Sequence, residues 1–359
     1  MGDVDRDLSR PEVILVRNGS IPKVVVFTPT YHSSPGIRYR VDMMLEALRS
    51  RYDVRILKGD QEKAFRGIYR ILGPIIIGQK PVWDLIGRRI AKQVMQARPD
   101  AAILITDVTA GAARYLTSKG VATFLSIEDL TPEWLGGTPS DGYTRMLRSL
   151  TESTEGVIAV SQGLREKLLS MGIDSCVVPP GLDKVVMSEE ESLNRMIKGV
   201  SLVSSGKLQF KEEEQAFLEV CRRIDSIELW SYDQGRLAKR LKRRLRHVRW
   251  YSYPTLGDAI GELRQVPIGL LVRYRASCPT RIYLHASLLQ PIIAIGDGWT
   301  GQVAHAGIGV VTKPEGVLES INGICERYAR FVSNVKRFAG ENLLEKAYKP
   351  LLDMLDSAL

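Results

Sequence analysis

The chain is 359 residues long, 44% hydrophobic and 25% charged, which fits about two globular domains and excludes a disordered, collagen-like or coiled-coil chain. Its net charge of +9 is local: Arg236–Arg249 holds eight Lys/Arg and no acid, and elsewhere the two signs nearly balance. The longest nearly apolar run, 68–78, is short of the roughly 20 residues a spanning helix needs, the acidic start (Asp3, Asp5, Asp7) has no signal-peptide core, and four cysteines without a CxxC pair point to a reducing, cytoplasmic setting and no metal site.

In chain order, Val24–Phe27 reads as a buried strand and Tyr39–Ser50 as an amphipathic helix with Val41, Met44, Leu45 and Leu48 inward. The run Ile68–Ile77, with Arg66, Arg70 and Lys80 around it, reads either as a core helix or as a lipid-facing or acceptor-facing edge. Strands follow at Val54–Leu57, Ala101–Ile105, Ala122–Ser126 and Gly156–Val160. Ser161 is placed as an N-cap opening a helix. Val177-Val-Pro-Pro-Gly181 closes this series, and the acid-rich stretch Ser188–Glu191 separates it from the next.

The pattern then restarts. Strands are expected at Val200–Ser204, Ile227–Trp230, Val248–Tyr251, Ile268–Val272, Pro291–Ile295 and Gly309–Val311. Helices are expected at Glu212–Arg223, Leu256–Arg264 and Arg281–Leu289. In the basic stretch, Leu237, Leu241 and Leu245 form one helical stripe. That stretch reads as a solvated outer helix or as a surface for anionic lipid; nucleic acid is disfavoured because no aromatics interleave with the charge. Continuous apolar strands alternating with helices predict parallel sheets covered on both faces. The fold class is therefore α/β, with two doubly wound Rossmann-like domains facing across a cleft. The expected boundaries are an extension over 1–22, a first Rossmann-like domain over 23–185, a second over 198–335, and a helix over 336–359 packing back on the first domain. Ligand belongs outside the carboxyl ends of the strands.

Four loops fall there. Thr28–Arg38 carries His32, then Gly36, which lets backbone N–H groups approach an anion, and Arg38. Ser204–Lys211 places Lys207 and Lys211 after a strand, where two ammonium groups suit a diphosphate. Cys278–His285 and Gln290–Gly298 lead a loop into a helix and then a strand into Gly-Asp-Gly. Glu128 and Asp129 follow a strand and suit recognition or activation of an acceptor hydroxyl, although neighbours on a helix do not face the same way.

Together these pieces resemble the type-B glycosyltransferases, and within them the retaining, nucleotide-sugar-dependent family four, from about Lys23 to Val311. Gly156–Ser161, Leu164 and Val178-Pro-Pro-Gly-Leu-Asp183 are similar to the family's strand, Ser, helix and Pro-x-Gly-x-Asp stretch. Gly206-Lys207 with Lys211 is similar to its Gly-Arg…Lys pair on the donor diphosphate, with Lys in place of Arg. Pro279-x-Arg-Ile-Tyr283 followed by Pro291-Ile-Ile-Ala resembles the donor-site helix, and Glu128-Asp129-Leu-x-Pro-Glu133 an acceptor-side stretch of some members. Two departures stand out. The family's two donor-site glutamates fall at Ala276 and Leu284, and Ser231–Gly235 replaces a Gly-rich turn.

The resemblance implies an enzyme that moves a sugar from a nucleotide-sugar to an acceptor hydroxyl, with retention and without a metal or other cofactor. It places Gly36, Arg38, Lys207, Lys211, Thr280, Arg281, Tyr283, His285, Asp297 and Gly298 on the donor, His285 standing in for the missing carboxylate. It places Glu128, Asp129 and His32 at the reacting centre, with a sugar or lipid-linked acceptor. The expected partners are the donor, the acceptor and an anionic membrane surface through Arg236–Arg249, giving a cytoplasmic protein peripheral to the membrane. Leu284 and Ala276 keep a non-catalytic binding subunit open as the alternative, and a sugar-nucleotide 2-epimerase shares the architecture.

Overall fold

The computed structural model describes residues 21–29, 35–58, 79–134, 137–204, 208, 210–232, 240–242, 245, 247–251, 260–261, 263–274 and 279–359. The 68–77 run, His32, Lys207 and Ala276 lie outside these, as do most of the basic stretch and of the helix expected over 256–264.

The first domain runs β1 (Lys23–Thr28), α1 (Pro35–Arg49), β2 (Asp53–Lys58), α2 (Lys80–Met95), β3 (Ala101–Ile105), a 3-10 turn (Asp107–Ala112) and α3 (Ala113–Thr117). It continues with β4 (Ala122–Ile127), α4 (Thr131–Trp134), α5 (Asp141–Thr151), β5 (Gly156–Ala159), α6 (Gln162–Ser170) and β6 (Cys176–Val177). The second holds α7 (Glu189–Ile197), β7 (Ser201–Ser204), α8 (Lys211–Arg223), β8 (Glu228–Tyr232), β9 (Val248–Tyr251), β10 (Ile268–Arg273) and α9 (Arg281–Ser287). After β11 (Ile292–Gly296), α10 (Thr300–Ala306) and β12 (Gly309–Val311) come α11 (Val317–Glu326), α12 (Tyr328–Glu341), α13 (Leu344–Ala347) and α14 (Lys349–Ala358).

Two six-stranded parallel sheets result, ordered β2-β1-β3-β4-β5-β6 and β12-β11-β10-β7-β8-β9. This is the doubly wound two-domain architecture expected from the strand pattern. The strands read as apolar runs because both faces are covered: all five residues of β3 are buried, as are the last five of β1. Chain order reverses between β1 and β3 in the first sheet and between β7 and β10 in the second. A crevice opens at such a point above the strand ends.

Local signals explain several boundaries. The Ser161 hydroxyl accepts from Leu164 N–H at 3.2 Å, the expected cap. The acid-rich stretch is not a plain separator. Ser188 and Glu191 form a reciprocal capping box, and three glutamates fill the first turn of α7. Helix α9 stops two residues early. Buried Arg195 donates through Nη2 to the Leu288 and Leu289 carbonyls, both at 2.8 Å, and Leu289 turns to φ 48°.

The chain crosses between domains twice. Leu182 N–H donates to Asn342 O and Leu344 N–H to Leu182 O, each at 3.0 Å. Helix α12 passes through position 336 and stays with the second domain, Phe338 packing on Tyr283 with ring centroids 5.7 Å apart. The return therefore begins near Asn342 rather than at 336. Beyond it, Tyr348, Leu351 and Leu355 join Val24, Val26, Met44 and Phe124 in one cluster. Each fully buried leucine there contributes roughly 1.5–3 kcal/mol. The Tyr348 hydroxyl donates to Arg40 O at 3.1 Å or Pro180 O at 3.0 Å, fixing the return against α1 and the first crossing.

Candidate functional site

The two crevices meet where α1 begins. A Cβ built on Gly36 would lie 3.4 Å from the Thr280 hydroxyl, just ahead of α9. A first-domain helix start and a second-domain helix start thus face each other across the cleft. Arg38, 60% exposed, stands on the first turn of α1 3.7 Å from Asp42.

On the second-domain side, buried Glu213 in the first turn of α8 receives Arg273 Nη1 at 3.1 and 3.2 Å. Arg273 ends β10, so this pair clamps the two elements that flank the reversal point. Lys211 opens α8 and is exposed, beside the crevice. Glu214, next to Glu213, is buried and bonded to Arg240. The loop after β11 is shaped by Gly296 at φ 146°, where a Cβ would overlap the Arg273 carbonyl. The Trp299 indole N–H donates to that same carbonyl at 2.9 Å. Asp297 and Gly298 remain exposed at the mouth. Half-buried Tyr274 stands among Asp297, Glu315 and Glu213; burial first, then these carboxylates, push its phenol up.

On the first-domain side, Glu128 is not the free carboxylate its position suggests. Its Oε1 lies 2.5 Å from Nε of wholly buried Arg40 and accepts from the Ser126 hydroxyl at 3.0 Å. Burial pushes the carboxyl up while Arg40 and Ser126 pull it down. Glu133 is held by Lys167 at 2.8 Å. Asp129 is half-buried beside them. Below, buried Asp107 accepts from Thr131 N–H (2.8 Å), Thr131 Oγ1 (2.6 Å), Tyr143 Oη (2.5 Å) and Val108 N–H (2.8 Å). It anchors the 128–133 loop from underneath. Thr106, before it, holds φ 78°, a region that costs a β-branched residue roughly 1–3 kcal/mol.

Two donor expectations are corrected. His285 and Tyr283 are both fully buried. His285 Nδ1 lies 2.6 Å from Gln290 Oε1 and packs on Gly269, whose added Cβ would fall 2.6 Å from the ring. Tyr283 Oη accepts from Gln302 at 3.2 Å. The short helix α9 is buried from Ile282 to Ser287, so these side chains serve the core. Leu284 is 7% exposed. Thr280 and Arg281 are half-buried at the start of α9, and Thr280 faces Gly36.

His285 gives a pH prediction. Burial holds its imidazole down at about 4, against the opposing pull of Gln290. The unfolded chain protonates first as pH falls. The contribution to stability is therefore complete above pH 6.5 and lost as pH drops toward 4, about 3 kcal/mol over the window. His285→Asn is expected to flatten the stability curve between those limits, checked by urea unfolding at several pH values.

In the basic stretch, Leu241 and Leu245 are buried, Arg240 bonds Glu214, and Arg249 lies 3.9 Å over the Trp230 ring. The described part reads as a packed outer element with two of its cations engaged internally. Among the described residues, no group of His, Cys, Asp or Glu could hold a metal, and no helix is long and apolar enough to cross a membrane.

Sequence reasoning missed Arg40, Asp107, Glu213 and Arg273. Each is a polar residue made structural by a partner distant in sequence. The only local signal is a charged residue on the inward face of an element.

No protein-family model matches the chain, and no curated protein matches it. Solved structures do match in fold. One is Anabaena Alr3699/HepE in complex with UDP-glucose, at TM-score 0.67 and 15% identity, covering 94% of this chain and 100% of that one. A glycosyltransferase from Rickettsia africae matches at TM-score 0.66 and 12% identity, covering 94% and 98%. The UDP-GlcNAc 2-epimerase from Neisseria meningitidis bound to UDP-GlcNAc matches at TM-score 0.58 and 13% identity, covering 93% and 100%. The chain thus has the two-domain fold of type-B glycosyltransferases, a fold also used by sugar-nucleotide 2-epimerases.

Proposed function

We propose that this protein is a glycosyltransferase that binds a nucleotide-sugar in the cleft and passes its sugar to an acceptor hydroxyl with retention. The observation that carries the reading is the approach of Gly36 to Thr280, which turns two helix starts toward one narrow gap. A diphosphate beside this close approach would accept hydrogen bonds from the Gly36 N–H and from the Thr280 hydroxyl. Lys211, with Lys207, would supply positive charge to the leaving diphosphate, so the transfer proceeds without a metal. Tyr274, Asp297 and Gly298 border the donor on the second-domain side. Asp129 faces the acceptor as the carboxylate placed to orient its hydroxyl, with Glu128 and Arg40 holding its strand end. Retention follows if the acceptor attacks on the face the diphosphate leaves, the departing phosphate taking the proton. The likeness to structures holding UDP or UDP-sugars supports a nucleoside-diphosphate donor.

Calorimetric titration with UDP, GDP, ADP and dTDP tests this. One nucleotide is expected to saturate the wild type. Lys211→Ala should weaken it roughly 10- to 150-fold, the loss of one charge-assisted hydrogen bond. Gly36→Val, which puts methyl groups against Thr280, should abolish binding while leaving the melting temperature nearly unchanged. A folded protein that binds none of the four overturns the reading and favours the non-catalytic alternative, for which buried Leu284 is the supporting observation. Epimerisation of the bound UDP-sugar without transfer would select the 2-epimerase reading.

A further inference from the structure

Among the described residues, one face of α2 is left exposed. Trp83, Gly87, Ile90, Ala91 and Val94 are buried against the domain. The opposite face presents Pro81, Leu85, Arg88, Arg89 and Lys92. These positions follow the three- and four-residue steps of a single helical stripe. Leu85 is 58% exposed in the middle of the stripe. The helix carries four cations, Lys80, Arg88, Arg89 and Lys92, against one acid, Asp84. Asp84 turns aside, 3.9 Å from Arg114 on α3.

The cations extend onto α3. Arg88 Nε donates to the Tyr115 hydroxyl at 2.8 Å, and the guanidinium groups of Arg88 and Arg114 lie 5.3 and 5.6 Å from the centre of the Tyr115 ring. This interaction stiffens the edge of the patch without neutralising it. Exposed Arg89 and Lys92 make no ion pair among the described residues.

We propose that this face docks on an anionic lipid surface, with Leu85 and Pro81 entering the headgroup layer and Arg88, Arg89, Lys92 and Arg114 meeting lipid phosphates. An apolar centre flanked by exposed cations complements such a surface. A polyanion such as nucleic acid matches the charge but gives exposed leucine nothing to bury against. The proposal is independent of the donor site and of the basic stretch at 236–249, and it places the contact on the first domain.

The test is co-sedimentation of the full chain with vesicles of phosphatidylcholine alone and of phosphatidylcholine mixed with phosphatidylglycerol. Wild type is compared with Arg89→Glu/Lys92→Glu and with Leu85→Gln, all at exposed positions, with folding confirmed by circular dichroism. The wild type is expected to bind the mixed vesicles and not the neutral ones, and to release in high salt. The double charge reversal should weaken binding roughly 30-fold or more, and Leu85→Gln roughly tenfold. Absence of binding to mixed vesicles, or equal binding by the wild type and both variants, overturns the proposal. So does duplex DNA that binds tighter than the vesicles and loses its binding in the charge reversal.

Discussion

Arg40→Ala is expected to cost about 3–5 kcal/mol of folding stability, because it strands Glu128 as an uncompensated buried charge. Arg40 has no exposed surface. Its Nη1 donates to Val178 O at 2.7 Å, its Nη2 to Ser126 Oγ at 3.2 Å, and its Nε lies against Glu128. One guanidinium therefore joins α1 to the ends of β4 and β6, on the helix whose first turn faces the cleft. Urea unfolding of Arg40→Met, Glu128→Leu and the double variant forms a cycle that isolates the pair. Each single variant should be strongly destabilised and the double variant much less so, with a coupling of about 2–3 kcal/mol. Additive effects would mean that the two side chains do not compensate each other. The cycle also separates roles: a Glu128 acting only as an anchor lets the double variant keep donor binding, whereas a carboxylate working on the acceptor loses turnover with the fold intact.

Gly87→Ala should be as severe for a different reason. A Cβ at Gly87 would lie 2.1 Å from the carbonyl carbon and oxygen of Gly111, and one at Gly111 would lie 2.2 Å from the Trp83 carbonyl oxygen. Helix α2 and the 3-10 turn touch backbone to backbone here, so no side chain can swing aside. A loss of about 3 kcal/mol or more is expected, at the upper end for overpacking, for either substitution. Thermal melts check it. Gly163→Ala in α6, with nothing within 4 Å of its added Cβ, is the control and should stabilise by roughly 0.5–1 kcal/mol.

The strands and their parallel pairing were legible because burial on both faces leaves unbroken apolar runs such as Ala101–Ile105. The cap at Ser161 and the buried Leu241 and Leu245 were legible because each rests on spacing within one element. The cleft side of the site was legible only in part. Gly36, Thr280, Lys211 and Asp297 follow strands, and topology alone puts strand ends at the mouth. Glu128 and His285 were misjudged for one shared reason. Both lie beside motif positions, but what decides their role is a partner from another element, Arg40 in one case and Gln290 with Gly269 in the other. On α9 the burial is continuous, so no periodic pattern marks which side chain looks outward. The acid-rich 188–191 stretch misled through composition, its glutamates being the polar cap of a helix.

The twin crossing at Leu182 and Leu343 has a consequence for how the molecule is made. The apolar face of the first sheet that carries Val24, Val26 and Phe124 is covered by Tyr348, Leu351 and Leu355, which are synthesised after the entire second domain. During translation the domain begun first is completed last. Until the final helix leaves the ribosome that face stays open, so a nascent chain stalled within the second domain exposes a sticky half-core to chaperones and proteases.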